Sequence, residues 1–207
     1  MFSTWTTARG DYARGTYCAL SGPAHHTRSA AHEGFRGSDD ARLSLCRAVR
    51  EPSGATTESC AARETTRKKL LLHADLIQGL KHDEAAAQFL CQMVRPAGLI
   101  STHSTVIATA KKNRVLGIQR VFLIDSHSLE TSYRVLASSK PDYIEVLPGV
   151  LPDVIREVKH GTKLPILAGG FIRTPEEIRS ILESGATAVT TSHRDLWSFG
   201  EHLQHGN

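Results

Sequence analysis

From Lys69 onward, short apolar runs alternate with amphipathic stretches, most runs end in polar residues, and one ends in Gly169-Gly170. These observations predict an α/β fold with a TIM-barrel-like (β/α) repeat and a parallel sheet. Six strand–helix units are recognisable at intervals of roughly 20 to 28 residues, two short of the eight that close a barrel.

In the first unit, Leu70-Leu71-Leu72-His73-Ala74-Asp75-Leu76 reads as an apolar strand ending in polar groups. Asp83 is placed to cap a helix through Arg95, with Ala86, Phe89, Leu90, Met93 and Val94 on its apolar side. Pro96 stops it. Gly98-Leu99-Ile100-Ser101-Thr102 is the next strand, followed by a helix from Ser104 to Val115 that Gly117 closes. Ile118 to Ile124 is a longer strand ending in Asp125-Ser126, and Ser128 caps a helix carrying Leu129, Tyr133, Val135 and Leu136. Residues 141–149 form a strand and turn. The next helix, Val150 to Val158, has Pro152 in its first turn.

The last complete unit carries the strongest chemical signal. Pro165 to Ala168 reads as a strand buried on both faces, followed at once by the two glycines. Thr174 is an N-cap, Pro175 takes the first helical position, and Glu177 stands three residues after the cap. Ile178, Ile181 and Leu182 share one face, and Gly185 fits the C-terminal stop. A strand from Thr187 to Thr190 then runs into Thr191 and Ser192, and Leu196-Trp197 lies in a final helical turn. Parallel βαβ connectivity puts the glycine turn and the hydroxyl turn at the same end of the sheet. In barrels, the loops after the last two strands commonly hold a phosphate. Gly169, Gly170, Thr190, Thr191 and Ser192 are therefore candidate phosphate-binding residues, the alternative being a plain tight turn.

Polar groups at other strand ends suit a small polyol: Asp75, Thr102, Asp125 and Glu145. Arg120 and Arg173 are candidate cations. Arg120 alternates with apolar residues and so faces the interior, where the alternative role is an ion pair with Glu145 or Asp125. Lys111, Lys112 and Arg114 form the densest basic run of the regular region, and Lys159, His160 and Lys163 a second. Such runs are candidate RNA contacts or simply solvated helix faces.

Composition sets broader bounds. A chain of 207 residues with net charge +4 permits a nucleic-acid partner without implying one. Cys18, Cys46, Cys60 and Cys91 show no CxxC spacing, so free thiols in a reducing compartment are expected and no metal site. No apolar run approaches the ~20 residues of a membrane span, and no signal-peptide core is present, so a cytoplasmic protein with no membrane partner is expected. A homo-oligomer is compatible with these bounds.

Residues 1–66 differ in kind. They hold eight Arg and no Lys, and of the Leu/Ile/Val/Phe/Met group only Phe2, Leu20, Phe35, Leu43, Leu45 and Val49 beyond the initiator Met. So little apolar surface does not offset the ordering entropy of the segment, which is expected to be mostly irregular with few core contacts. Ala41 to Val49 is its one candidate helix. The abrupt change near Thr66 also raises the expectation that the segment is an out-of-frame or mis-started reading. The organisation is thus 1–66, a regular domain over 67–200, and a tail over 201–207.

HADLIQGLKHDEAAAQFL, GLISTHS, GIQRVFLIDSHSLE, PDYIEVLPGV, LPILAGGFIRTPEEI and GATAVTTS occur in this order between Leu70 and Trp197. Together they resemble the glycerol-3-phosphate responsive antiterminators of glycerol uptake operons. The resemblance implies a TIM-barrel-like protein that is regulatory and not enzymatic. It implies glycerol 3-phosphate as effector, no cofactor, and leader messenger RNA as partner, stabilised against early transcription termination. Family members begin with two further strand–helix units before the block that starts here at Leu70, and often carry Lys where this chain has His103. A reading of different class, a phosphate-binding barrel enzyme on a sugar or triose phosphate, would draw on Asp75, Asp125 or Glu145 for acid–base chemistry.

Overall fold

The computed structural model of the chain describes residues 18–21 and 70–196. Its strands are β1 (Cys18–Ser21), β2 (Leu71–His73), β3 (Gly98–Ser101), β4 (Leu116–Phe122), β5 (Tyr143–Leu147), β6 (Ile166–Gly169) and β7 (Ala188–Thr191). Between them run α1 (Glu84–Phe89), α2 (Ser104–Lys112), α3 (Ser126–Ser139), α4 (Pro152–Thr162) and α5 (Pro175–Glu183). One sheet has the order β1-β7-β6-β5-β4-β3-β2. Six strands, β2 to β7, are parallel and follow chain order, with a helix in every crossover. They form a curled half-barrel of the TIM type, as the alternation predicts. From the segment expected to be mostly irregular, β1 adds antiparallel to the far edge of β7. Among the described residues β1 and β2 do not pair, so the curl stays open there. The candidate helix at Ala41 to Val49, Trp197 and the tail lie outside the described residues.

The strands are apolar on both faces, which is why they read as continuous runs. Leu71, Ile100, Ile118, Leu167 and Ala188 point inward and pack with Ala97 and Tyr143. Outward residues pack under the helices. Leu72 and Leu99 meet Leu90, Val94 and Val106 on one side of the arc. On the other, Ile144, Val146 and Ile166 meet Ile155, Ile178 and Ile181.

Several elements differ from the sequence reading. The helix opened by Asp83, whose carboxylate accepts from the Ala86 N–H at 2.9 Å, widens into a π-turn over Leu90–Val94. A π-turn adds a residue per turn, so the 3.6-residue face no longer holds. Ala87, Leu90, Cys91 and Val94 are buried, while Phe89 and Met93 are half or more exposed. Gly117 does not close a helix. It lies in β4, where a Cβ would sit 2.8 Å from Ile107 Cγ2, and Arg114 closes α2 instead. Asp125, not Ser128, is the N-cap of α3, and Ser128 returns the bond from the N3 position.

Ile144 is fully buried in the layer beneath α4 and α5. We expect Ile144→Ala to cost about 2–5 kcal/mol in denaturant unfolding, whereas a cost under about 1 kcal/mol would show a loosely packed layer.

Candidate functional site

The register that pairs Arg120 with Glu145 across β4 and β5 puts both side chains on the inner face, above the apolar layer. Arg120 Nε donates to Glu145 Oε2 at 2.7 Å, and both side chains are buried. Thr190 Oγ1, on β7, donates to Glu145 Oε1 at 3.2 Å. The bond passes over β6, where Gly169 lies. A Cβ at Gly169 would sit 2.3 Å from that hydroxyl, so the glycine leaves room for the Thr190 side chain. Arg120 thus takes the buried ion-pair role with Glu145, one of the two alternatives at this position.

The two loops at this end of the sheet are neighbours. Gly169 and Thr190 are register partners, and Thr191 Oγ1 donates to the Ile172 carbonyl at 3.0 Å, tying the loop after β6 to the turn after β7. Gly170 has φ +83° and Phe171 φ +61°, two consecutive left-handed residues. Such a conformation is rare for a bulky side chain, and Phe171 is 70% exposed. Ser192 is exposed beside them, and a short 3₁₀ turn, Arg194–Leu196, follows. The N-terminus of α5 already holds an anion. Glu177 Oε2 accepts from the amides of Arg173 at 2.7 Å and Thr174 at 3.1 Å, completing the predicted capping box. Arg173 itself is exposed at the rim. These two amides of the α5 N-terminus are therefore already satisfied within the chain.

The remaining candidates have local roles. Asp75 clamps β2 to β3: it accepts from Ser101 Oγ, from the Thr102 amide at 2.7 Å and from Thr102 Oγ1 at 2.9 Å. Burial alone would raise its pKa, but these hydrogen bonds outweigh burial and hold the carboxyl below its ordinary value. His103 lies 3.6 Å from Asp75 and stacks on His82. Asp125 is a helix cap, its pKa lowered chiefly by the Ser128 amide at 2.7 Å. Lys111 is engaged with Asp142 at 3.3 Å and with the Lys140 carbonyl, Lys112 with Glu84 at 3.1 Å, and Arg114 is exposed.

One residue was missed. His73 ends β2 on the inner face, is 1% exposed, and has no hydrogen-bond partner at either ring nitrogen among the described residues. Burial, then the positive charge of Arg120, pushes its pKa down to about 4, so the imidazole is neutral at pH 7. Leu71 and His73 are two apart and so share the inward face, a signal hidden inside an otherwise apolar LLLH run.

These shifts fix a pH dependence. Between the ordinary imidazole value of 6.5 and about 4, the unfolded chain binds a proton at His73 that the folded chain excludes. Stability from this group is therefore full above pH 6.5 and falls on acidification through that window, by on the order of 3 kcal/mol. Asp75 acts lower, below 3.8. We expect His73→Leu to flatten unfolding free energy against pH between 6.5 and 4. A profile parallel to the wild type would show that His73 is not buried as a neutral base.

Residues 54–197 match the model of the family described as glycerol-3-phosphate responsive antiterminator. A crystal structure of the glycerol uptake operon antiterminator regulatory protein from Listeria monocytogenes str. 4b F2365 is 39% identical, with a TM-score of 0.68 over 70% of this chain and 78% of that one. A glycerol uptake operon antiterminator-related protein from Thermotoga maritima MSB8 is 27% identical, with a TM-score of 0.64 over 74% of this chain and 86% of that one. The Escherichia coli (strain K12) protein YgcP is 32% identical over 136 residues, 66% of this chain and 71% of its own. A family match over most of the regular region, on a half-barrel with the same order of strands and loops that the motifs imply, makes this chain a member of the glycerol-3-phosphate responsive antiterminator family.

Proposed function

We propose that the chain senses glycerol 3-phosphate and, in response, binds the leader messenger RNA of glycerol-utilisation operons in the cytoplasm to prevent early termination. The observation that carries the ligand assignment is the junction of two neighbouring loops, joined by Thr191 and Ile172, above a buried polar layer. Gly170 and Ser192 meet the phosphate, with Arg173 at the rim. The inner layer below holds His73, a buried neutral imidazole able to donate at one nitrogen and accept at the other. Arg120 and Glu145 form the floor.

The layer suits binding better than turnover. Glu145 accepts from both Arg120 and Thr190, Asp75 from Ser101 and Thr102, and Asp125 caps a helix. A general base needs a lone pair aimed at substrate, and each of these carboxylates is already oriented by hydrogen bonds to the protein. The family assignment, a regulatory one, points the same way.

A ligand that binds only the folded chain raises its melting midpoint, by an amount equivalent to about 2.7 kcal/mol at a hundredfold excess over Kd. We expect glycerol 3-phosphate to do this and free glycerol not to. Gly170→Asp should abolish the shift by putting a carboxylate where the phosphate sits. An unchanged shift in that variant removes the phosphate from this loop, and turnover of a triose phosphate or of glycerol 3-phosphate by the chain would replace the sensor with an enzyme.

A further inference from the structure

We infer that the face opposite the ligand loops is the RNA-binding surface, built on a row of basic residues at four successive helix ends; this rests on the antiterminator reading above. α1 with its π-turn, α2, α3 and α4 each end in a left-handed residue just before the next strand, and all four are basic: Arg95 (φ 49°), Arg114 (φ 59°), Lys140 (φ 44°) and Lys163 (φ 57°). Parallel crossovers place every such corner at the N-terminal end of the sheet. Backbone hydrogen bonds link the corners in series: Leu116 N to Ala97 O, Asp142 N to Gly117 O, and Ile144 N to Pro165 O. With neighbouring helices about 10 Å apart, the four side chains span an arc of about 30 Å.

A basic residue at a helix C-terminus is ordinary, because it complements the helix dipole. The left-handed position is not needed for that, since any residue of the last turn serves. Gly is the favoured occupant of this position, because a side chain is strained there. The chain itself supplies the comparison. α2 and α5 close with the same pair of hydrogen bonds, Arg114 N to Lys111 O with Val115 N to Ala110 O, and Gly185 N to Leu182 O with Ala186 N to Ile181 O. One uses Arg at the left-handed site and the other Gly. Arg114, Lys140 and Lys163 are exposed and form no ion pair among the described residues, whereas Lys111 and Lys112, nearby on α2, each form one. The backbone is thus held in a glycine conformation while exposed cations are kept. The opposite face carries the acidic helix starts Asp125, Asp153, Glu176 and Glu177, which repel a polyanion. The row fits an RNA backbone, contacted through phosphates.

The test uses the full chain, a fluorescein-labelled RNA with a terminator hairpin and single-stranded flanks, and glycerol 3-phosphate. The variant Arg114→Gly/Lys140→Gly/Lys163→Gly removes three charges and relieves three strained sites. It should melt higher, by about 2–4 °C per site, while binding RNA on the order of tenfold more weakly. The slope of log K against log salt should flatten by about 2, for three lost phosphate contacts at roughly 0.7 each. Arg114→Gln/Lys140→Gln/Lys163→Gln should lose the same affinity and slope even if the glycine variant melts lower. Unchanged RNA affinity and slope in both variants overturns this surface and leaves the antiterminator reading standing. Wild-type protein that is stabilised by glycerol 3-phosphate yet binds no RNA, or binds only phosphatidylserine vesicles, overturns both the surface and the RNA role.

Discussion

The buried pair of Arg120 and Glu145 constrains everything above the apolar layer of the half-barrel. Breaking such a pair from one side leaves an uncompensated charge, at a cost of about 3–5 kcal/mol, so neither residue is free to vary alone. Its geometry extends to the neighbours. Glu145 reaches Thr190 on β7 only because β6 offers no side chain at Gly169. The β5–β6 connection is equally close: Gly149 N donates to Gly169 O, and a Cβ at Gly149 would sit 2.5 Å from Gly169 N. One ion pair therefore sets the spacing of β4, β5, β6 and β7 at the end where the loops meet. Gly169, read from sequence as part of a phosphate cradle, is accounted for by this packing alone. Gly170 is different, since its positive φ calls for glycine.

How much of this was legible depends on whether a residue type announces its own geometry. Strands buried on both faces do so as apolar runs, and so does the Thr174-Pro175-Glu177 start of α5, because each position has one favoured occupant. Asp125 and Ser128 are both good caps at compatible spacing, so the sequence gives no ranking between them. The π-turn after Phe89 shifts the helix face by a residue, and nothing in LCQMV marks it. β1 has four residues on an edge, too few to show a period. The basic left-handed corners are the least visible, because a turn is read from Gly, Asn or Pro, and Arg or Lys hides it.

The candidate site divides the same way. Residues chosen for charge at strand ends were found at strand ends, but charge attracts partners within the protein first. Asp75, Asp125 and Glu145, candidates for their charge, each accept hydrogen bonds from neighbouring donors. His73, marked only by its two-residue spacing from Leu71, is the buried polar side chain of the inner face whose ring nitrogens lack a protein partner among the described residues.

That inversion bears on what kind of site this is. A catalytic carboxylate must exchange a proton during the reaction, so it needs a pKa near working pH and an open lone pair. Asp75 and Asp125 have pKa values displaced downward by hydrogen bonds, which holds them ionised and poor as bases. The inner-layer base His73 is, by contrast, held neutral, because burial and then Arg120 make its charged form unfavourable. Protonation of His73 at pH 7 would put a second cation in a buried layer whose nearest carboxylates are already paired. On the function proposed above, an inner layer whose charges are fixed and internally balanced, with one neutral ring among them, would meet a polyol through hydroxyl hydrogen bonds alone, with no net proton transfer to the protein.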